Sequence, residues 1–226
     1  MKKVAQPKMS AGIQANGRRQ PAAAGRGGPV GVIQRLYDLE NNSLANKAKM
    51  NDLDAAVADL DRILLGAGIQ YVIQGSMAQA MHGAGLKAVP GDIDVLVPNP
   101  KGAGTALTQS GLFTLQSNGM LVTKVRHTAT QVMVDLVQNE DFGMSQASVA
   151  VVNGKRVLSV FETLRSLLLR PEKRQKDHIS FISLLVQKGD ELSQQEKATI
   201  AQTAGSHGWQ QLYDYVFEEY KKIVMG

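Results

Sequence analysis

At 226 residues, 43% of them hydrophobic and none cysteine, the chain can bury one substantial core or two small ones. The lack of cysteine excludes disulfides, thiolate zinc sites and cysteine nucleophiles, and fits a cytoplasmic protein. Of the formal charge of +5, seven bases (Lys2, Lys3, Lys8, Arg18, Arg19, Arg26 and Arg35) lie in residues 1–35 without one acid; the remaining 18 bases face 20 acids, about −2, which argues against a fold that grips nucleic acid with its whole surface.

Residues 1–45, rich in Gly, Ala, Gln and Pro and poor in large apolar side chains, read as a disordered basic leader, with delivery of an effector as its sharper reading. No apolar run is long enough for a membrane span, and the first residues lack the apolar stretch of a secretory signal, so no membrane partner is expected. From Asn51, Leu53, Ala56, Val57, Leu60, Ile63 and Leu64 recur at helical spacing; Asn51 or Asp52 would cap that helix and Gly66 or Gly68 would end it. Ile69–Gln74 alternates like a strand, Met77–His82 reads as a short helix, and 83–91 as a loop. Asp92–Val97 is a second strand, stopped by Pro98-Asn99-Pro100. A short helix over Thr105–Gln109 follows, with Gly102-Ala103-Gly104 read as a flexible loop. Leu121–Arg126 and Gln131–Val137 are β-like. Val149–Val152 and Arg156–Leu158 form a hairpin turned at Asn153-Gly154. From Val160 the pattern is helical, broken at Pro171, Gly189-Asp190 and Gly205–Gly208, which predicts three or four helices in a C-terminal bundle. The expected class is α+β, a small mixed β-sheet flanked by helices and followed by that bundle. The expected parts are a leader over 1–45, a core over 46–155 and a bundle over 156–226.

Asp92 and Asp94 share one face of their strand, about 7 Å apart along it, while Ile93 and Val95 face the core. Asp135 interrupts the apolar run Val132-Met133-Val134-Asp135-Leu136-Val137, where a charge is costly unless something pairs with it. Three carboxylates meeting at one sheet edge repel one another unless they bind cations, and oxygen ligands of this kind suit Mg²⁺. Two such ions would activate an attacking hydroxyl and neutralise a triphosphate leaving group. Ahead of the acids, Gly75 allows close backbone approach to a phosphate, and Ser76 offers a hydroxyl and an N–H. His82, His127, His178 and His207 show no metal-ligand spacing and read as structural.

The run Val72-Ile73-Gln74-Gly75-Ser76, then Asp92-Ile93-Asp94-Val95, then Asp135 resembles the nucleotidyltransferase superfamily with a DNA-polymerase-β-like fold. Fifteen residues separate Ser76 from Asp92, slightly more than the family's usual spacing, which implies an enlarged 83–91 loop. Downstream, Leu164-Arg165, Arg174-Gln175-Lys176-Asp177 and Leu184-Leu185 resemble the helical segment of bacterial toxin-type and antibiotic-modifying nucleotidyltransferases. The resemblance implies transfer of an NMP from an NTP such as ATP to a hydroxyl, with release of pyrophosphate and two Mg²⁺ ions as cofactor. It makes Asp92, Asp94 and Asp135 catalytic and metal-binding. Gly75, Ser76, Arg165, Arg174 and Lys176 become nucleotide contacts, with Asp177 orienting a base or capping a helix. The implied acceptor is RNA (tRNA among the candidates), a protein or a small molecule. A toxin-like enzyme with a cognate antitoxin is the expected subclass; an antibiotic-modifying enzyme and a non-catalytic nucleotide-binding antitoxin or regulator are its alternatives.

Overall fold

The computed structural model describes residues 44–84, 89–138, 148–170 and 174–209; residues 1–43 of the expected leader and 85–88 of the expected 83–91 loop lie outside the described residues, and the last two residues of that leader, 44 and 45, belong to the first helix. Within them, a seven-stranded sheet has the order β3-β4-β5-β2-β1-β7-β6. Its strands are β1 (Val72–Gln74), β2 (Asp92–Val97), β3 (Phe113–Asn118), β4 (Val122–His127), β5 (Met133–Gln138), β6 (Val149–Val152) and β7 (Lys155–Leu158). β2 runs parallel to β5 and β1 parallel to β7, while the other pairs are antiparallel, so the sheet is mixed. The helices are α1 (Leu44–Gly66), α2 (Gly75–Met81), α3 (Pro100–Gln109), α4 (Val160–Leu168), α5 (Gln175–Lys188) and α6 (Gln194–Ser206).

α1 begins seven residues before the expected cap at Asn51, which lies inside the helix. Residues 44–50 are mostly strong helix formers, and Met50 packs against the core, so nothing stops the helix at Asn51. Its end is as expected. Gly68 adopts φ +70, Ile69 N–H donates to Leu64 O (2.8 Å) and Gly68 N–H to Leu65 O (3.0 Å), a Schellman closure that only glycine enters without strain. The first strand is shorter than expected, Val72–Gln74 in place of Ile69–Gln74. Tyr71 is tied sideways instead: its hydroxyl donates to Asp61 (2.5 Å), which also accepts from Lys155 (2.5 Å).

Gly102-Ala103-Gly104 is helical, not a flexible loop, and α3 starts at Pro100. Asn99 caps it by accepting from Gly102 N–H at 3.0 Å, and proline fits the first helical position. Gly104 is required by proximity: a Cβ there would stand 2.7 Å from Thr123 Cγ2 on β4. β3 was not expected. Only Phe113 of its six residues is buried and Leu115, on the same face, is half exposed, so the alternation of this edge strand stops after two apolar residues and is too short to read. The β6–β7 hairpin turns as expected, with Asn153 and Gly154 both at positive φ (50° and 75°). The expected division at 155/156 falls inside β7, whose pairing with β1 and β6 keeps it in the sheet to Leu158.

Alternation separates the two faces of the sheet. Ile73, Ile93, Val95, Val97, Val125, Val134, Leu136 and Val157 join Leu53, Leu60 and Leu64 of α1 and Ala103 and Leu107 of α3 in the main core. A second core lies in the C-terminal bundle, where Leu164 and Leu167 meet Phe181, Leu184, Ile200 and Trp209. The front face of the sheet, opposite α1 and α3, holds the acids.

Candidate active site

Asp92 and Asp94 stand at the start of β2 with Ile93 and Val95, both fully buried, locking the strand from behind. The parallel pairing of β2 with β5 sets Asp135 directly beside Asp94, and Gln74 of β1 stands on Asp94's other side. Carboxylate oxygens from Asp92, Asp94 and Asp135 all lie within 4.8 Å of one another. That span is close to the roughly 4 Å between ligands on opposite sides of one hard cation.

Gly75 explains its own identity. It has φ +66, and a Cβ built on it would fall 2.2 Å from Asp94 Oδ2. Any side chain at residue 75 would displace the central carboxylate of the cluster. Gly75 and Ser76 are the first two residues of α2, with Gln74 as its extended N-cap, so the expected turn ahead of the helix is the helix start itself.

The cost of a charge inside β5 is met by Lys124 of β4, whose Nζ lies 2.5 Å from Asp135 Oδ2. The Lys124 ammonium is held above its ordinary pKa, first by the hydrogen bond to Asp135 and further by the charges of Asp135, Asp92 and Asp94. The cluster thus already draws a cation to itself, and its donors are all hard oxygens; these residues fit a divalent metal. Lys124 carries no signal of its own in the sequence. The Val122–His127 alternation puts Lys124 and Arg126 on one face, but the register that sets Lys124 against Asp135 exists only once the strands pair.

The basic positions of the helical segment sit in ion pairs of their own. Arg165 on α4 donates to Glu162 (3.0 Å). Arg174, the N-cap of α5, donates to both oxygens of Asp177 (2.7 and 3.0 Å), and Arg170 donates to the same carboxylate (3.0 Å). Asp177, buried in the first turn of α5, orients two bases, as the motif implied. The side chain of Lys176 lies outside the described residues. His82 and His127 are buried and structural: His82 Nε2 hydrogen-bonds Leu158 O (2.7 Å), and His127 meets Thr130 (2.8 Å) and Asp59 (3.2 Å). A cavity of about 500 Å³ bordered by Met81, His82, Phe161, Lys188 and Glu191 holds none of the clustered acids. Its Lys188 and Glu191 pair with each other at 2.6 Å.

No family model matches the chain, and no curated protein does. Among solved structures, a candidate nucleotidyltransferase from H. pylori superposes with a TM-score of 0.50 at 10% identity, covering 77% of this chain and 93% of that one. The chain has a nucleotidyltransferase fold. A nucleotidyltransferase-like antigenic protein from Paracoccidioides brasiliensis gives 0.49 at 18% identity over 74% of this chain and 92% of its own. The antibiotic-resistance factor ANT(2'')-Ia gives 0.48 at 13% over 66% and 89%. In this nucleotidyltransferase fold the acid cluster occupies the front of the sheet between β1 and β4.

Proposed function

We propose that the protein is a Mg²⁺-dependent nucleotidyltransferase that moves an NMP from an NTP to an acceptor hydroxyl and releases pyrophosphate. One observation carries the reading: three carboxylates on adjacent strands of a nucleotidyltransferase fold converge within 4.8 Å, with a glycine kept bare beside the central one. When bound, divalent cations supply Lewis-acid charge that neutralises the triphosphate. Asp92 and Asp94 hold that charge and place the α-phosphorus. Gly75 and Ser76 offer backbone N–H groups to the phosphates; the family resemblance adds Arg165, Arg174 and Lys176 as phosphate contacts, a role that Arg165 and Arg174 take by turning from Glu162 and Asp177. Asp135 accepts the proton of the acceptor hydroxyl. The hydroxyl oxygen bonds to the α-phosphorus as the bond from that phosphorus to the α,β-bridging oxygen breaks, and pyrophosphate leaves with the electron pair.

Within this class we place the chain among toxin-like enzymes of the cytoplasm that act on RNA or protein and are held by a cognate antitoxin. The support is the likeness of its Arg165 and Arg174–Asp177 segment to theirs. No helix among the described residues is long and apolar enough to cross a membrane.

Incubation of the full chain with each α-labelled NTP, Mg²⁺ and cell lysate tests the reading. Label should enter a macromolecular or small-molecule acceptor with wild type and drop by at least about 100-fold with Asp92→Ala or Asp94→Ala, a loss of roughly 2.7 kcal/mol of transition-state stabilisation. No transfer from any NTP, or transfer unchanged in Asp94→Ala, contradicts it.

A further inference from the structure

The face that carries the acids continues past β5. Lys124 stands opposite Asp135 and Arg126 opposite Met133, while Ser117 and Thr114 of β3 stand opposite Lys124 and Arg126. Residues paired in register share a face, so Lys124 and Arg126 extend the acid face away from Gly75 toward the β3 edge. Arg126 touches its neighbour on that face, with Nε 3.3 Å from Met133 Sδ. Lys124 engages Asp135 through one oxygen while its side chain stays 46% exposed.

The local charge is one-sided. From residue 95 to residue 134, 40 positions, there is no Asp or Glu, whereas Lys101, Lys124 and Arg126 fall within that stretch. α3, β3 and β4 lie wholly inside it, so β3 and β4 contribute no carboxylate to the front face. The acid cluster therefore has Gly75 and Ser76 on one flank and a cationic strand on the other. A polycation set down on β4 must displace Lys124 from Asp135 before it reaches a carboxylate, whereas a phosphodiester strand meets the Arg126 guanidinium and the exposed side of Lys124 with that pair left in place.

We propose that Lys124 and Arg126 form the acceptor platform of the site and select a single-stranded nucleic acid ending in a hydroxyl over a polycationic small molecule. This rests on the nucleotidyl-transfer reading, in which the NTP takes the Gly75 flank.

The test titrates a fluorescent single-stranded RNA with the full chain over a NaCl series, using wild type, Lys124→Met, Arg126→Met, the double variant and Lys124→Arg. The basic N-terminal stretch is common to all and cancels in the differences. Each lost phosphate contact should reduce the slope of log affinity against log salt by about 0.7, so about 1.4 in the double variant, with Lys124→Arg keeping the wild-type slope. A double variant with the wild-type slope overturns the proposal, as does α-label recovered in a protein or an aminoglycoside instead of nucleic acid. Arg126→Met, which leaves the Lys124–Asp135 pair in place, keeps the test readable if Lys124→Met fails to fold. Mg²⁺–NTP binding, measured by calorimetry without RNA, separates the two claims. If it persists while the slope is unchanged, the acceptor proposal alone fails; if it is absent, the transfer reading fails.

Discussion

Gly75 answers to two constraints at once, a positive φ and the Asp94 carboxylate 2.2 Å from where its Cβ would be. Gly75→Ala should therefore cost about 1–3 kcal/mol of stability from backbone strain and also displace Asp94. Thermal unfolding would show the first effect, and weaker Mn²⁺ binding would show the second. An alanine variant with native melting temperature and native Mn²⁺ affinity would mean that Asp94 does not depend on the bare backbone. The glycine and the acid-apolar-acid triplet were both legible in the sequence, because a strand's period of two fixes which residues share a face. Their mutual contact was not legible. It depends on β1 and β2 pairing antiparallel, with Gln74 opposite Asp94, a register that no local pattern encodes.

Secondary structure is legible in this sequence where a pattern is long or a turn has a demanding φ, as in the body of α1, the Gly68 closure and the Asn153-Gly154 hairpin. It is not legible where tertiary contact decides. The two glycines of α3 argued for a loop until Thr123 of β4 explained Gly104, and β3 is an edge strand with one buried residue. His82 gives the junction of α2 and β7 a pH dependence. Burial, with Lys188 adding, lowers its pKa below the ordinary 6.5, against the opposing hydrogen bond to Leu158 O and the charge of Glu191. The unfolded chain then takes up a proton more readily than the native one. Stability from this group is full above about pH 6.5 and is lost as the pH falls through the folded value. Denaturant unfolding of wild type and His82→Gln at pH 7 and pH 5 should show the larger acid loss in wild type; equal losses would remove His82 from the account.

For the whole molecule, the two cores divide the labour. The sheet with α1 and α3 makes a rigid back for the acids, and the C-terminal bundle carries the Arg170–Asp177–Arg174 cluster. The α+β class and the sheet-then-bundle order could be read from periodicity, because the switch from period two to 3.6 after Leu158 is abrupt. The convergence of Asp135 with Asp92 and Asp94 is suggested by a charge inside an apolar strand and by the family resemblance, not by spacing, since 40 residues separate Asp94 from Asp135. The cationic flank at Lys124 had no such guide. Whether these three carboxylates serve nucleotidyl transfer is decided by γ-labelled NTP incubated with the protein, Mg²⁺ and the lysate fraction that takes up α-label. The prediction is Mg²⁺-dependent release of the label as pyrophosphate, one per NMP transferred, and its loss in Asp94→Asn. Release as orthophosphate, or release that Asp94→Asn leaves intact, would contradict it.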